Sequence, residues 1–473
     1  MKTIIYELNE VPKRLFEFFA AANPQSSFAH LRNHGALFET VAQDVGHLSP
    51  WITWPSLHRG VSNVEHKICE LGQNLKDVNS EYPPIWTLLA RHGVTVGMFG
   101  SLHSYPVPDY LDNYKFYVPD TFAAGPECFP EALTDFQSFN LSMVKRNGRN
   151  VSTGIAMDGA IQFLAAAPGL GLRGKTVVKL AGQIISERTN RSRVVRRRTS
   201  QSEIAFDFFL KQLVTKRPDA SFFFTNHVAS SMHRYWPSVF PEDYPEGKFD
   251  PKWLAQWGQE IPNAIHVANS QLTELLAFVN RHSGYRLIIV SSMGQAAVQD
   301  VTPIRKEVLI TDIEKLLSYV GVRRDEWEPR LAMAPRVIVS LKSHSVLPKL
   351  EKLSGIRING TKINFVPLET GEVRFDTNAT DIESMSICDE AGRSIDPRVL
   401  GISNVDLQDA AGCYAYHVPD GILIEYGGGN KSADGITHWH RISALDVAPS
   451  ILRSFGVAVP HHMRDDDKVF SAA

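Results

Sequence analysis

Short apolar runs alternate with amphipathic stretches along most of the chain, the pattern of strands buried on both faces with helices packed over them. Thr3 to Leu8 reads as a buried first strand, and Asn9-Glu-Val-Pro then breaks into a helix carrying Leu15, Phe16, Phe18 and Phe19. A second helix with Phe28 and Leu31 ends near Gly35, and Ala36 to Val41 leads toward a turn around Thr53. Pro84 to Gly93 predicts a helix closed by glycine, followed by a strand from Val94 to Phe99. Later, Ser202 to Leu213 is an amphipathic helix leading into the apolar strand Ala220 to Thr225, and a helix around Ala264 to Asn280 precedes a strand from Tyr285 to Val290. A last helix runs from Ala444 to Phe455. The rhythm predicts an α/β core with a mostly parallel central sheet and helices on both faces.

Two stretches break it. The first is helical and carries a basic run, Arg173, Lys175, Lys179, Arg188, Arg191, Arg193, Arg196, Arg197 and Arg198, opposed within the run only by Glu187. Such a run is ordinarily a solvated face; its functional reading is a peripheral contact with an anionic surface or substrate. The second has short alternating strands and Gly-Thr turns, which predicts a small β-rich insertion over the site. The expected division is a core in three parts, 1–130, 206–330 and 406–473, interrupted by a helical basic insertion at 131–205 and a β-rich one at 331–405.

A length of 473 residues and a net charge of −2 fit a soluble globular chain without bulk affinity for nucleic acid. The polar start and the lack of any apolar run of ~20 residues argue against a secretory leader and a membrane span. Four scattered cysteines form no Cys-x-x-Cys pair, which fits reduced thiols and a cytoplasmic location.

The candidate chemistry gathers at predicted strand ends, where open α/β sheets commonly carry their sites. In Leu48-Ser-Pro-Trp-Ile-Thr-Trp-Pro-Ser-Leu-His-Arg-Gly60, Pro55 predicts a helix start and so sets the Thr53 hydroxyl at a helix N-terminus, where anions are stabilised. Trp54, Ser56 and Arg59 follow as substrate contacts. Glu7 and Asn9 end the first strand, His227 and His233 follow the Ala220 strand, and His417 precedes a late apolar run. Neutral imidazoles suit zinc or manganese, and Thr53 is the matching nucleophile. Trp51, Tyr235 and Trp236 are read mainly as core, and His438 and His440 as a weaker candidate pair.

The chain resembles the alkaline phosphatase superfamily, in its branch of type I phosphodiesterases and nucleotide pyrophosphatases. Four stretches carry the likeness: Ile4 to Phe16; Ser27 to Gly35 with Thr53-Trp-Pro-Ser56 and Glu65-His-Lys-Ile68; Ile85 to Gly97; and His417-Val-Pro-Asp-Gly-Ile-Leu-Ile with Leu445 to Leu452. The resemblance implies that Thr53 takes the phosphoryl group, that Asn9 or Glu7 stands at the first metal carboxylate, and that His233 and His417 are metal ligands. Two departures stand out. Ala229 falls where the family's Asp-x-x-x-His needs aspartate, with His227 or Asn226 as a substitute from the strand end, and Ser292-Met293 falls where Asp-His is usual.

The expected activity is phosphoester transfer, hydrolytic or to another acceptor, on a small-molecule or glycan-linked phosphoester, with one divalent metal or none. The alternative is a catalytically silent relative that binds an anionic ligand or a partner protein.

Overall fold

The computed structural model describes residues 1–146, 167–330, 332, 334–368, 371–427, 438–464 and 469. Parts of the expected helical insertion and of the C-terminal segment lie outside these residues, as does Thr437 beside His438.

The first strand, β1 (Lys2–Leu8), is buried along almost its whole length and lies near the centre of an eight-stranded sheet. With β2 (Ala36–Val41), β3 (Val96–Phe99), β4 (Tyr114–Val118), β5 (Ala220–Thr225) and β6 (Tyr285–Val290), the order across the sheet is Trp439–Ser443, β2, Leu423–Tyr426, β6, β1, β5, β3, β4. All run parallel except Leu423–Tyr426, which is antiparallel to both neighbours. This is the mostly parallel α/β architecture that the sequence pattern predicts.

Alternation along β1 divides the molecule into two cores. Ile4, Tyr6 and Leu8 face one built on Phe16, Phe28, Phe209 and Leu272, and Ile5 faces the other, with Trp54, Trp86, Met98 and Leu452. Glu7 shares the second face, fully buried, and β1 pairs it with Phe224 and Val290 on either side.

A third core spans Val308 to Ile402. It holds a four-stranded antiparallel sheet, Asn364–Pro367, Glu372–Asp376, Val337–Leu341 and Trp327–Arg330, and the flanking pair Lys306–Ile310 with Ile402–Asp406 closes it off. This β-rich unit starts some way before residue 331, because Lys306–Ile310 pairs with the strand that ends it.

The helix carrying Thr53 differs from expectation. It runs Pro50–Arg59, with Pro50 rather than Pro55 at its first turn, and Pro55 is interior. An interior proline removes the N–H that would serve the carbonyl four residues earlier. That carbonyl belongs to Trp51, and the His103 ring donates to it at 2.9 Å instead.

The basic run is also less solvated than its sequence suggests. Arg173 pairs with Asp207 and Glu274, Lys179 with Glu203, Arg196 with Glu260 and Arg197 with Glu187, all but the last from acids outside the run.

Candidate active site

Immediately after β1, Glu10 adopts a left-handed backbone (φ 59°), a conformation that non-glycine residues rarely take. The turn sends a buried carboxylate sideways along the carboxyl edge of the sheet. There Glu10 Oε2 lies 3.0 Å from His233 Nε2 and 3.4 Å from His417 Nε2.

His233 comes from the His227–Tyr235 helix and His417 from the Ala415–Val418 strand, which pairs with Gly294–Ala297 outside the main sheet. Each ring is aimed by its other nitrogen: His233 Nδ1 donates to Ala415 O at 2.7 Å and His417 Nδ1 to Leu48 O at 2.8 Å. Both Nε2 atoms therefore converge on Glu10, and one ligand atom from each of the three lies within 4.8 Å of the others. A backbone acceptor on the far nitrogen is how proteins commonly fix an imidazole for metal binding.

The electrostatics match this geometry. Burial alone would raise the Glu10 carboxyl, but the two imidazoles, His233 first, hold it well below the usual carboxylate range. Burial likewise opposes charge on His233, and Glu10 outweighs it, lifting the imidazole to about 10. Without a cation the site is thus a proton-bridged ion pair, and a divalent ion would compete with the His233 proton. Asn9 Nδ2 donates to Glu10 Oε1 at 2.8 Å, and Gln295 donates to Glu10 and, at 3.2 Å, to Ala229 O.

The threonine half lies beside this cluster and is neutral. Thr53 is buried and its N–H is already bonded to Ser49 O at 3.0 Å, so it sits one turn inside the helix rather than among the unpaired terminal amides. Its Oγ1 is 2.8 Å from Ser292 Oγ. The next residue, Trp54, donates from its indole to Asn9 Oδ1 at 2.7 Å, and Asn9 leads on to Glu10. The Ser291–Gln295 segment thus touches both halves, Thr53 through Ser292 and Glu10 through Gln295. Gly294 permits this close passage, since a Cβ there would lie 2.2 Å from Asp420 O.

Other residues expected at the site are engaged elsewhere. Glu7 accepts from His58 at 2.7 Å and from Ser101 at 2.6 Å, so the carboxylate near the cluster is Glu10 instead. His227 is set apart, with Nδ1 2.7 Å from Thr225 Oγ1 and Nε2 bonded to Ala264 O at 3.0 Å. Asn9 spends both amide atoms on Trp54, Asn226 and Glu10.

Ser56 lies between Asp44 (2.5 Å) and His66 (2.8 Å). Because the Ile68 amide donates to His66 Nδ1, the neutral ring presents Nε2–H to Ser56, whose own proton goes to Asp44. This is the reverse of an activated serine. Arg59 is fully buried near the far end of the helix, bound to Asn79 at 2.7 Å, and burial draws its pKa down to about 9. Trp54, Tyr235 and Trp236 are core residues. His440 lies exposed on an edge strand of the sheet, with His438 exposed just before it.

Sequence reasoning passed over Glu10, Gln295 and the rim pair His47 and Tyr416, whose ring stacks on His417 at 4.2 Å. Glu10 was available as an acid one residue beyond Asn9. Its role depends on the left-handed turn, which an L-residue gives no local cause to expect. Two imidazoles and a carboxylate form a donor set suited to zinc or manganese. Thr53 Oγ1, by contrast, meets the Ser292 hydroxyl and the Ser49 carbonyl, neither of them an anionic ligand.

The comparison with family models gives no match, and neither does that with curated proteins. Among solved structures the chain is similar to murine ectonucleotide pyrophosphatase/phosphodiesterase 5, at 11% identity and a TM-score of 0.42 over 98% of both chains. The human protein of that name gives 10% identity and a TM-score of 0.42 over 98% of this chain and 96% of the other. An inactive threonine-to-alanine variant of the murine protein in complex with AMP gives 11% and 0.40, over 98% and 97%.

Proposed function

We propose that the protein is a phosphoester-transfer enzyme in which Thr53 is the nucleophile and Glu10, His233 and His417 hold one divalent cation. The observation that carries this reading is the convergence of two imidazole Nε2 atoms, each fixed from behind by a backbone carbonyl, on one buried carboxylate. Zinc or manganese held by Glu10, His233 and His417 would supply Lewis-acid stabilisation of developing negative charge. Asn9 and Gln295 orient Glu10 through their amide donors. Ser292 sets the direction of the Thr53 hydroxyl. As the bond from Thr53 Oγ1 to phosphorus forms, the bond to the leaving alcohol breaks, and the proton that Thr53 gives up ends on that alcohol. Water or a second alcohol then takes the phosphoryl group and returns the proton to Thr53. The substrate is a small-molecule or glycan-linked phosphoester.

A second reading, a silent relative that binds an anionic ligand, is favoured by Ser292 and Met293 at the positions where the resemblance implies two metal ligands. Turnover of bis(4-nitrophenyl) phosphate with zinc or manganese added, compared with Thr53→Ala under the same conditions, discriminates the two. Turnover that depends on Thr53 and on added metal supports the enzyme. Stoichiometric metal without turnover on any of a panel of phosphodiesters and nucleotide sugars supports the binder.

A further inference from the structure

The helix Gly174–Thr189 is turned the wrong way round for a protein surface. Its inward side presents Thr176, Gln183 and the buried Glu187, with Leu180 as its main apolar contact. Its outward side carries Val177 (47% exposed), Val178 (72%), Ile184 (43%) and Ile185 (63%), with the exposed Ala181 between them. At i, i+1, i+4, i+7 and i+8 these five form one continuous aliphatic stripe along a helix about 24 Å long. Clusters of exposed aliphatics of this kind mark a contact surface.

The charges flanking the stripe identify what it contacts. Lys175 and Lys179 border one end, where they pair with Glu274 and Glu203, and Arg188, Arg191 and Arg193 the other, all five exposed. From Lys145 to Arg198 the chain carries twelve lysines and arginines against two acids, Asp158 and Glu187. An apolar stripe whose one end carries three exposed arginines with no acid partner among the described residues suits the boundary of an anionic bilayer.

The helix is also well positioned for this. The Arg197–Lys216 helix that follows packs on β5 with Ser202 Oγ 2.8 Å from Thr225 Oγ1, at the carboxyl end of that strand. The Ile184–Arg193 end therefore lies toward the same edge of the sheet as Glu10, His233 and His417. Arg198, just beyond it, acts electrostatically on Asp409 and Tyr235, two residues from His233.

We infer that the outward face of the Gly174–Thr189 helix lies in the interface of an anionic membrane, holding the protein on the lipid surface without crossing it. No described helix is long and apolar enough to span a bilayer.

The test is sedimentation of the full chain with vesicles of phosphatidylcholine alone and of phosphatidylcholine with phosphatidylglycerol. The wild type is expected to pellet with the anionic vesicles and Val178→Asp with Ile185→Asp to stay in solution, with unchanged melting temperature and unchanged turnover of a soluble phosphodiester. Arg188→Gln with Arg191→Gln should weaken binding by about tenfold or more at low salt. Equal binding to both vesicle types, or to neither, overturns the inference. So does a fall in melting temperature or a shift from dimer to monomer in the aspartate variant without lipid, since the stripe would then be covered by residues of this chain or by a second copy.

Discussion

The two halves of the candidate site sit side by side at the end of β1 and differ in charge. Around Glu10, one carboxylate faces two imidazoles, and one ligand atom from each of the three converges on one small space. The Thr53 hydroxyl meets the Ser292 hydroxyl and the Ser49 carbonyl, neither able to neutralise a cation. The difference teaches that the capacity to hold a cation lies on the Glu10 side of the site. Ala229 stands where the resemblance implies an aspartate, and Gln295 bridges the Ala229 carbonyl and Glu10, so a carboxylate from another element lies in the same neighbourhood. The proposed single cation rests on this asymmetry.

The largest effect expected from breaking this contrast is on turnover. Thr53→Ala should lower kcat on the order of 10³-fold or more while metal content stays that of the wild type, because the nucleophile is lost and the cation ligands are untouched. Steady-state rates together with metal analysis check both halves at once. Equal rates for the two proteins would remove Thr53 from the mechanism.

Glu10→Gln attacks the other half. It keeps the volume and one of the two amide contacts but removes the carboxylate of the cluster, so metal affinity should fall by more than the ~10–100-fold typical of outer-sphere changes. Competition with a chromophoric chelator measures it. Glu7→Gln, whose parent binds only His58 and Ser101, should leave that affinity unchanged.

The contrast can also be erased. Ser292→Asp with Met293→His installs two ligands next to Thr53, and the metal content should rise from about one ion per chain to about two. Because Ser292 and Met293 are fully buried, the double variant should melt lower without metal and recover when it is added. A ratio that stays at one would mean that Asn9 is held too firmly by Trp54 and Glu10 to accept a second ion.

What the sequence disclosed follows the range of the forces involved. Burial periodicity is local, and it gave β5 and β6 at their observed bounds and the Ser27–His34 helix ending at Gly35. Pro55 misled, because proline is compatible with a helix interior when another donor serves the stranded carbonyl, and that donor, His103, is distant in sequence. The histidines were legible as a class but not individually. His227 and His233 lie on one helix, and only its packing turns His227 toward Ala264 and His233 toward Glu10. The acids that neutralise the basic run were equally out of sight, since Asp207, Glu260 and Glu274 come from other helices.

His227 therefore offers a smaller, structural prediction. His227→Ala should leave metal content unchanged and destabilise the fold by about 1–3 kcal/mol, because the Ala264 carbonyl and the Thr225 hydroxyl lose a buried partner. Chemical denaturation measures it, and a loss of bound metal would return His227 to the site.

The smallest effect is on pH dependence, and it separates the charged half from the neutral one. In the metal-free protein Glu10 is held below its unfolded value, so its contribution is present above the ordinary carboxylate range and lost as pH falls. His233 is raised to about 10, so its contribution is complete below about 6.5 and drains away as pH climbs toward 10. The chelated protein should accordingly melt highest between about pH 5 and 6.5, and a few degrees lower by pH 10. Bound cation takes the place of the His233 proton and should flatten the alkaline arm, while Glu10→Gln should abolish that arm with or without metal. Ser292→Ala, on the neutral half, should leave the profile's shape as it is. An alkaline arm that survives in Glu10→Gln would assign the titration to another group and detach the ion pair from the stability of the fold.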